Sequence, residues 1–387
     1  MLITLVTETY PPDVNGVALT VQGFEQRLRA FGHSVSIVRP RREGELANTG
    51  IDLCVSSMGL PRYPGLRLGR PAGRRLKRQW KAARPDVIYV ATEGLLGASA
   101  ILTARSLGIP VATGYHTRFD HYMSRYGLSL LSAPARGWLR GLHNLGCATI
   151  VSTGALQREL TDQGYRHARW VPRAVDTLRF DPNRRDPELR ARWNAASDAP
   201  VFLHVGRIAP EKNIALAVRA FRASQQRYPA ARMVLVGDGP LRRSLQAANP
   251  DLIFAGTLQG TDLAAHYASA DIFLFPSLTE TFGNVTLEAL ASGLATVAFD
   301  DGAAREHIVD GVTGRLVEQH DEDAFMAAAL ELASNPELRV RIAAAGRESL
   351  ARLDPVSVAR AFEQVLIAVA QQGNRPVSLD APGSQLR

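Results

Sequence analysis

Cysteine is scarce: the 387-residue chain holds only Cys54 and Cys147. Both lie in apolar surroundings and read as buried thiols, which argues against a disulfide framework, a Cys-based metal site or a thiol nucleophile. A reducing, cytoplasmic setting is expected. Long hydrophobic runs are missing too, and no stretch approaches the ~20 apolar residues that a bilayer-spanning helix needs. The opening MLITLVTETY is too short, and at Glu8 too acidic, for a secretory leader, and reads as a first strand. No nucleic-acid-binding motif accompanies the net charge of +8, so no nucleic acid partner is expected. A complete dinucleotide fingerprint is absent: in VGDGPLR, Pro240 intervenes and Arg242 stands where the third glycine belongs, which argues against a dehydrogenase. Asp321-Glu322-Asp323 has the letters of a metal-binding DxD. It stands before a helical pattern at Ala324–Ala333, where acids cap the helix and complement its dipole. No metal and no cofactor are therefore expected.

What is present is alternation. A hydrophobic fraction of 46% and a charged fraction of 21% fit a folded α/β protein. Strand-like runs at Leu2–Thr7, Val35–Val38, Asp52–Val55, Val87–Ala91, Val111–Tyr115 and Ile150–Ser152 are separated by helical patterns, as are those at Val201–Val205, Met233–Val236, Ile253–Ala255, Ile272–Phe275, Thr296–Phe299 and Arg315–Val317. This predicts two doubly wound, Rossmann-like domains, residues 1–172 and 173–355. VPRAVDTLRFDP marks the boundary, residues 356–372 form a final amphipathic helix, and 373–387 are expected to be a disordered tail. Such folds bind ligands at the C-terminal ends of their strands, here in a cleft between the two domains. Charge is divided unevenly. Residues 1–200 hold 28 Lys and Arg against 16 Asp and Glu, and residues 201–387 hold 17 against 21. The basic first half points to an anionic partner.

Four stretches carry possible chemistry. In FLFPSLTETFGNVTLEALASG a buried strand ends at Pro276 and a short helix opens at Asn284, between Glu280 and Glu288. Eight helical residues would separate the carboxylates by roughly 12 Å along the axis. With Glu280 still in the loop, the first turn around Phe282, Gly283 and Asn284 lies between them and offers free N–H groups to an anion. Two carboxylates flanking a phosphate site match a sugar diol, a diphosphate and a ribose diol; a loop acid plus a surface acid is the plain alternative. In FLHVGRIAPEKN, Arg207 follows a buried strand and Lys212 opens the next helix, placed to neutralise a diphosphate or simply to face solvent. The loop TETYPPDVNGVALTV brings Gly16 to a helix start, as a phosphate-approaching loop or an ordinary turn. VATGYHTRFDHY ends a strand with His116, Arg118, His121 and Tyr122, and Glu93 ends another. These suit the mouth of an α/β site, although a histidine there is often structural.

Taken in order, these motifs resemble the retaining glycosyltransferases of family 4, which have the GT-B fold. The resemblance runs through nearly the whole chain to Arg360, rests on Glu280-x7-Glu288 and on Gly206-Arg207 with Lys212, and looks most like bacterial mannosyl- and glucosyltransferases. It implies transfer of a hexose from a nucleoside diphosphate sugar to a hydroxyl acceptor, with GDP-mannose favoured over UDP-glucose and a membrane lipid or polysaccharide precursor as acceptor. It further implies that Gly16 packs over the pyrophosphate, that His116 and Glu280 hold the sugar, that Arg207 and Lys212 stabilise the leaving diphosphate, and that Glu288 binds ribose. Glu93, Arg118, His121 and Tyr122 fall on the acceptor side. No dedicated base stands out, in keeping with a leaving phosphate that deprotonates the acceptor. One departure concerns the loop after the next strand. The family has Gly-Gly-x-Pro-Glu there, and here residues 302–306 read GAARE, keeping Glu306. A 2-epimerase of the same fold and a non-catalytic nucleotide-sugar sensor are the rival readings.

Arg62 to Arg84 contains nine basic residues and no acid, with Tyr63, Leu66, Leu68, Leu76 and Trp80 interleaved. Leu76 and Trp80 are one helical turn apart. A basic helix with an apolar stripe can lie on an anionic membrane surface. The alternative is a solvated basic face whose Leu76 and Trp80 are core.

Overall fold

A computed structural model of the chain describes every residue except 14, 43–44, 46–47, 50–51, 61–62, 117–131, 197 and 374–387, with the backbone alone at 48–49, 60, 63–67, 132 and 373. Two compact units result. Unit 1 is Met1–Val151 with Leu156–Val171 and the chain from Ala359 on; unit 2 is Pro172–Val358 with Ser152–Ala155.

Among the described residues unit 1 is built on ten strands: β1 Leu2–Val6, β2 Ser34–Pro40, β3 Asn48–Thr49, β4 Asp52–Val55, β5 Ser57–Leu60, β6 Tyr63–Gly69, β7 Val87–Val90, β8 Val111–Gly114, β9 Ala148–Val151 and β10 Ala168–Trp170. Eight of them form one sheet in the order β10-β9-β8-β7-β1-β2-β4-β3, and β5 and β6 form a separate hairpin. β1 lies between β2 and β7, with Leu5 in register with Ile37 on one side and Tyr89 on the other, both parallel. Ile3, Leu5 and Val6 are buried, as expected of a central strand covered on both faces. The strand order reverses between β1 and β7, so the loops after Val6 and Val90 flank the switch point where such sheets hold ligands. From Ala359 the final helix, Pro355–Gly373, packs in this unit. Phe362 stacks on Phe24 at 4.0 Å and meets Tyr89 edge-on at 4.9 Å, and Glu363 pairs with His33 at 2.7 Å.

The structure decides between the two readings of the apolar stripe in the basic segment, which forms a strand and a helix, β6 and Gly73–Ala82. Leu76 and Trp80 of the helix are buried in the core cluster that holds Val6, Ile88 and Ile101, so these two apolar side chains are spent on the core, while Arg74, Lys77, Arg78 and Lys81 are exposed. Arg62 lies outside the described residues, as do Arg118, His121, Tyr122 and all of the expected tail beyond Gly373.

Unit 2 holds β11 Val201–Val205, β12 Arg232–Val236, β13 Ile253–Gly256, β14 Ile272–Phe275, β15 Ala295–Phe299 and β16 Arg315–Val317. They form a parallel sheet in the order β13-β12-β11-β14-β15-β16. This is the doubly wound mononucleotide-binding order, with its switch point between β11 and β14. Every residue of β11, β14 and β15 is buried, which explains why VFLHV, IFLF and ATVAF read as continuous apolar runs. The helices Pro187–Arg192, Gly302–His307 and Pro336–Glu348 were not anticipated from the sequence. In unit 1, Ser132–His143 was likewise missed.

Candidate active site

The loops leaving β11 and β14 carry the densest charge at the unit 2 switch point. After β11 the chain turns through Gly206 and Arg207 into a one-turn 3-10 helix, Pro210–Lys212, that ends at Asn213 with a left-handed φ of 48°. Lys212 therefore sits on this turn rather than on the long Ile214–Arg227 helix that follows. Its ammonium is paired with the Glu280 carboxylate and stands 5.4 Å over the Phe275 ring. Both side chains are largely buried, at 17% and 12% exposure. Arg207 is more open, with Glu211 at 3.9 Å.

Glu280 is fixed from behind by a residue that sequence reasoning missed. Asp301 accepts the Glu280 N–H with Oδ2 at 2.9 Å and the Gly302 N–H with Oδ1 at 2.9 Å. Ala303 N also donates to Phe282 O at 2.5 Å. A Cβ at Gly302 would stand 2.4 Å from Phe282 O, and φ there is 53°, so glycine is required for this close approach. The departure from the family loop is resolved locally. GAARE is the start of the Gly302–His307 helix, capped by Asp301; Ala303 is buried in the core, and Arg305 points outward to Asp300 at 2.9 Å. The signal for Asp301 was a pair of aspartates, Asp300 and Asp301, following a buried strand.

Phe282 is buried and meets His307 edge-on at 6.1 Å. Gly283 takes φ 88° as N-cap of the Asn284–Ala291 helix, whose first turn has no side-chain cap and no acidic residue. The free N–H groups of that turn suit an anion. On the next turn Glu288 is half-buried and accepts a hydrogen bond from the Tyr267 hydroxyl at 2.8 Å. Burial pushes the Glu288 carboxyl up to about 7, against the pull of Tyr267 and of Arg179. Beneath the site His204 is fully buried, with Nδ1 donating to Leu274 O at 3.0 Å; burial lowers it to about 4, so it is neutral.

In unit 1 the expected residues are more deeply committed to structure. Asn15 caps the Gly16–Ala30 helix by accepting Ala18 N–H at 2.9 Å, while Gly16 itself is exposed. His116 is buried, its Nε2 2.6 Å from the Tyr89 hydroxyl. Glu93 is buried too and pairs with His143 Nε2 at 3.2 Å, while His143 Nδ1 bonds Thr113 Oγ1 at 2.7 Å. The structure thus brings Arg207, Lys212, Glu280, Phe282, Gly283, Asn284 and Glu288 onto the loops and first turns after β11 and β14. It places Glu93 in a buried polar chain. A second carboxylate that the sequence reading passed over, Glu8, is buried at the end of β1 and accepts N–H groups of Gly69 and Leu96. Burial raises its pKa. Asp321 accepts Ala324 N–H at 3.0 Å as a helix cap. Among the described residues no cluster of three His, Cys, Asp or Glu side chains could hold a metal.

Comparison with known proteins follows this division. Residues 185–349 match the family described as glycosyl transferases group 1, and residues 14–179 match glycosyltransferase family 4. A GDP-mannose-dependent alpha-mannosyltransferase of Mycobacterium tuberculosis is 37% identical over 322 residues, covering 81% of this chain and 83% of that one. A GDP-mannose-dependent alpha-(1-6)-phosphatidylinositol monomannoside mannosyltransferase of Mycolicibacterium smegmatis is 29% identical, covering 89% and 92%. The fold of sucrose-phosphate synthase from Thermosynechococcus elongatus superposes with a TM-score of 0.75 at 19% identity, over 96% of this chain and 99% of that one. With the GT-B fold, both halves matched and a mannosyltransferase relative over four-fifths of its length, the chain belongs to the family 4 glycosyltransferases.

Proposed function

We propose that this glycosyltransferase retains anomeric configuration and takes its hexose from GDP-mannose, with UDP-glucose the second choice, passing it to a hydroxyl of a membrane lipid or polysaccharide precursor. The observation that carries the reading is the grouping, after β11 and β14, of Arg207, the Lys212–Glu280 pair and an uncapped helix start at Asn284, with Glu288 one turn on. Lys212 has three N–H donors and gives one to Glu280, leaving two for diphosphate oxygens. Arg207 and the first-turn N–H groups add to the charge stabilisation as the diphosphate leaves, each preorganised donor contributing about 3 kcal/mol at such sites. Glu280 keeps lone pairs for the sugar hydroxyls, and Glu288 takes the ribose hydroxyls. The leaving phosphate, rather than a side chain, takes the acceptor proton, and no metal takes part. The roles expected of Gly16 and His116, and of Glu93 on the acceptor side, rest on the family resemblance.

The choice of GDP-mannose is supported by the mannosyltransferase relatives, and that of a lipid acceptor by the phosphatidylinositol mannoside enzyme among them. The exposed Arg74, Lys77, Arg78 and Lys81 of the Gly73–Ala82 helix support peripheral binding to an anionic membrane surface through charge. No helix among the described residues is long and apolar enough to cross a membrane. A donor panel tests the reading: thermal shift with GDP, UDP and ADP, then turnover with the sugars of the nucleotide that stabilises most. Stabilisation by GDP and acceptor-dependent release of GDP from GDP-mannose, with an α-linked product, is expected. Sugar conversion without acceptor would indicate an epimerase, and binding without turnover a sensor.

A further inference from the structure

Tyr267 has no role in the reading so far, and its surroundings give it one. It lies in the Gly260–Ser269 helix, fully buried, its ring meeting Phe180 at 5.6 Å edge-on and Phe273 at 5.9 Å. Full burial between these two rings restrains Tyr267, and its hydroxyl is aimed at the neighbouring helix. It donates to Glu288 Oε2 at 2.8 Å, with Val285 O at the margin at 3.5 Å. Burial and the neighbouring carboxylate raise the phenol well above its usual range, so it stays a donor at any working pH.

We propose that Tyr267 is a positioning residue for nucleotide binding: its hydroxyl holds Glu288 Oε2, so that the remaining carboxylate lone pairs face the two vicinal hydroxyls of the ribose. The proposal rests on the reading of Glu288 as the ribose ligand. An unanchored glutamate on a helix can rotate about three side-chain bonds, and ordering it would cost part of each ribose contact. With one oxygen fixed, that cost is met in folding. The bond also favours the ionised carboxylate, which accepts more strongly and has lone pairs for the phenol and both ribose hydroxyls together. The groups acting on Glu288 are Tyr267 and Arg179, the latter half-exposed and near Asp176 at 3.7 Å. Arg347, from the Pro336–Glu348 helix packed alongside, reaches Ala291 O at the far end of the Glu288 helix and pairs with Asp181 at 2.7 Å.

Calorimetric titration with GDP and UDP, between pH 6 and 8.5, tests this with the full chain and the tighter nucleotide. Tyr267→Phe should bind about tenfold more weakly at pH 7, as expected for losing a hydrogen bond to a charged group. Its affinity should recover toward wild type at the alkaline end, because the Glu288 midpoint moves up. Glu288→Gln should bind weakly with no such recovery. A second measurement isolates the diol: the 2′,3′-dideoxy form of the same nucleotide shares the diphosphate titration but lacks the diol. The difference in affinity between the two nucleotides at pH 7 should be smaller in Tyr267→Phe than in wild type, because the hydroxyl that aims Glu288 at the diol is gone. If Glu288→Gln binds normally, or neither nucleotide binds wild type, the ribose reading falls and this proposal with it. If Glu288→Gln is weakened but Tyr267→Phe matches wild type across the pH range, or the difference between the nucleotides is the same in Tyr267→Phe as in wild type, the ribose reading stands and the role of Tyr267 is overturned.

Discussion

Replacing Lys212 with alanine separates what the Lys212–Glu280 pair does for the fold from what it does for the reaction. The substitution leaves the Glu280 carboxylate, 12% exposed, without its cation and next to the Asp301 carboxylate that holds its N–H. Removing one partner of a buried pair costs about 3 kcal/mol, the low end applying here because both side chains keep some contact with water. For a unit of this size that is a fall of roughly 6–12 °C in melting temperature. Turnover should fall further, by about 100- to 1,000-fold, since a donor to the departing diphosphate is lost. The double variant Lys212→Ala/Glu280→Gln removes the stranded charge, and so should regain most of the melting temperature while regaining none of the turnover. Scanning calorimetry and a GDP-release assay on wild type, both single variants and the double complete the cycle. Near-native turnover in the single variant, or turnover that returns with stability in the double, would refute the assignment of Lys212 to the diphosphate.

Glu280→Gln, whose amide oxygen still accepts from Lys212, should keep most of the nucleotide affinity, while turnover and discrimination between donor sugars fall by roughly tenfold, the value of one hydrogen bond to a charged group; an equal loss of nucleotide affinity would contradict its place on the sugar side. Gly302→Ala forces a Cβ against Phe282 O and a side chain into φ 53°, so urea unfolding should show a loss of about 2 kcal/mol and the donor KM should rise as Glu280 is displaced. Activity should persist in EDTA, and a complete loss reversed by a divalent ion would reopen a metal role. Co-sedimentation with anionic vesicles should fall in high salt and in the Arg74, Lys77, Arg78 and Lys81 to Ser variant, each cation contributing about 1 kcal/mol. No binding by the wild type, or binding indifferent to both changes, would point to a soluble acceptor.

The parallel strands were legible because both their faces are covered. A run such as IFLF has no polar alternation to blur it, and Pro276 and Asn284 mark where strand stops and helix starts. Short amphipathic helices were not legible. GAARE looked like a damaged glycine loop, because five residues carry too little periodicity to show that Ala303 and Ala304 point to the core while Arg305 points away. The basic segment misled for a related reason. Leu76 and Trp80 do share a helix face, but sequence spacing cannot say whether that face meets lipid or a sheet, and here it meets Val6 and Ile88. Glu93 and Tyr267 show the same limit in polar form. A strand-end glutamate looks available for a ligand until a distant His143 is folded against it, and a helix tyrosine looks like core until its hydroxyl is seen to reach Glu288.

Acidic partners at a site meant for an anion look like a contradiction, since Glu211 and Glu280 each stand beside a cation that the diphosphate needs. Preorganisation resolves it. A lysine or arginine side chain loses about 2 kcal/mol of rotamer entropy when it is ordered, and a cation ordered only by its ligand must recover that from binding. Glu280, itself tied down by Asp301, orders Lys212 before any donor arrives, and the ammonium still has N–H groups to offer. The pair with Glu211 at 3.9 Å is looser, and Arg207 is the more exposed of the two cations. Of the two cations proposed to hold the diphosphate, Lys212 is thus the one that a largely buried carboxylate orders in advance. On the proposed reading, transition-state stabilisation by Lys212 depends on Glu280, whose backbone N–H Asp301 accepts, so the loop after β15 supports the transfer without touching a ligand.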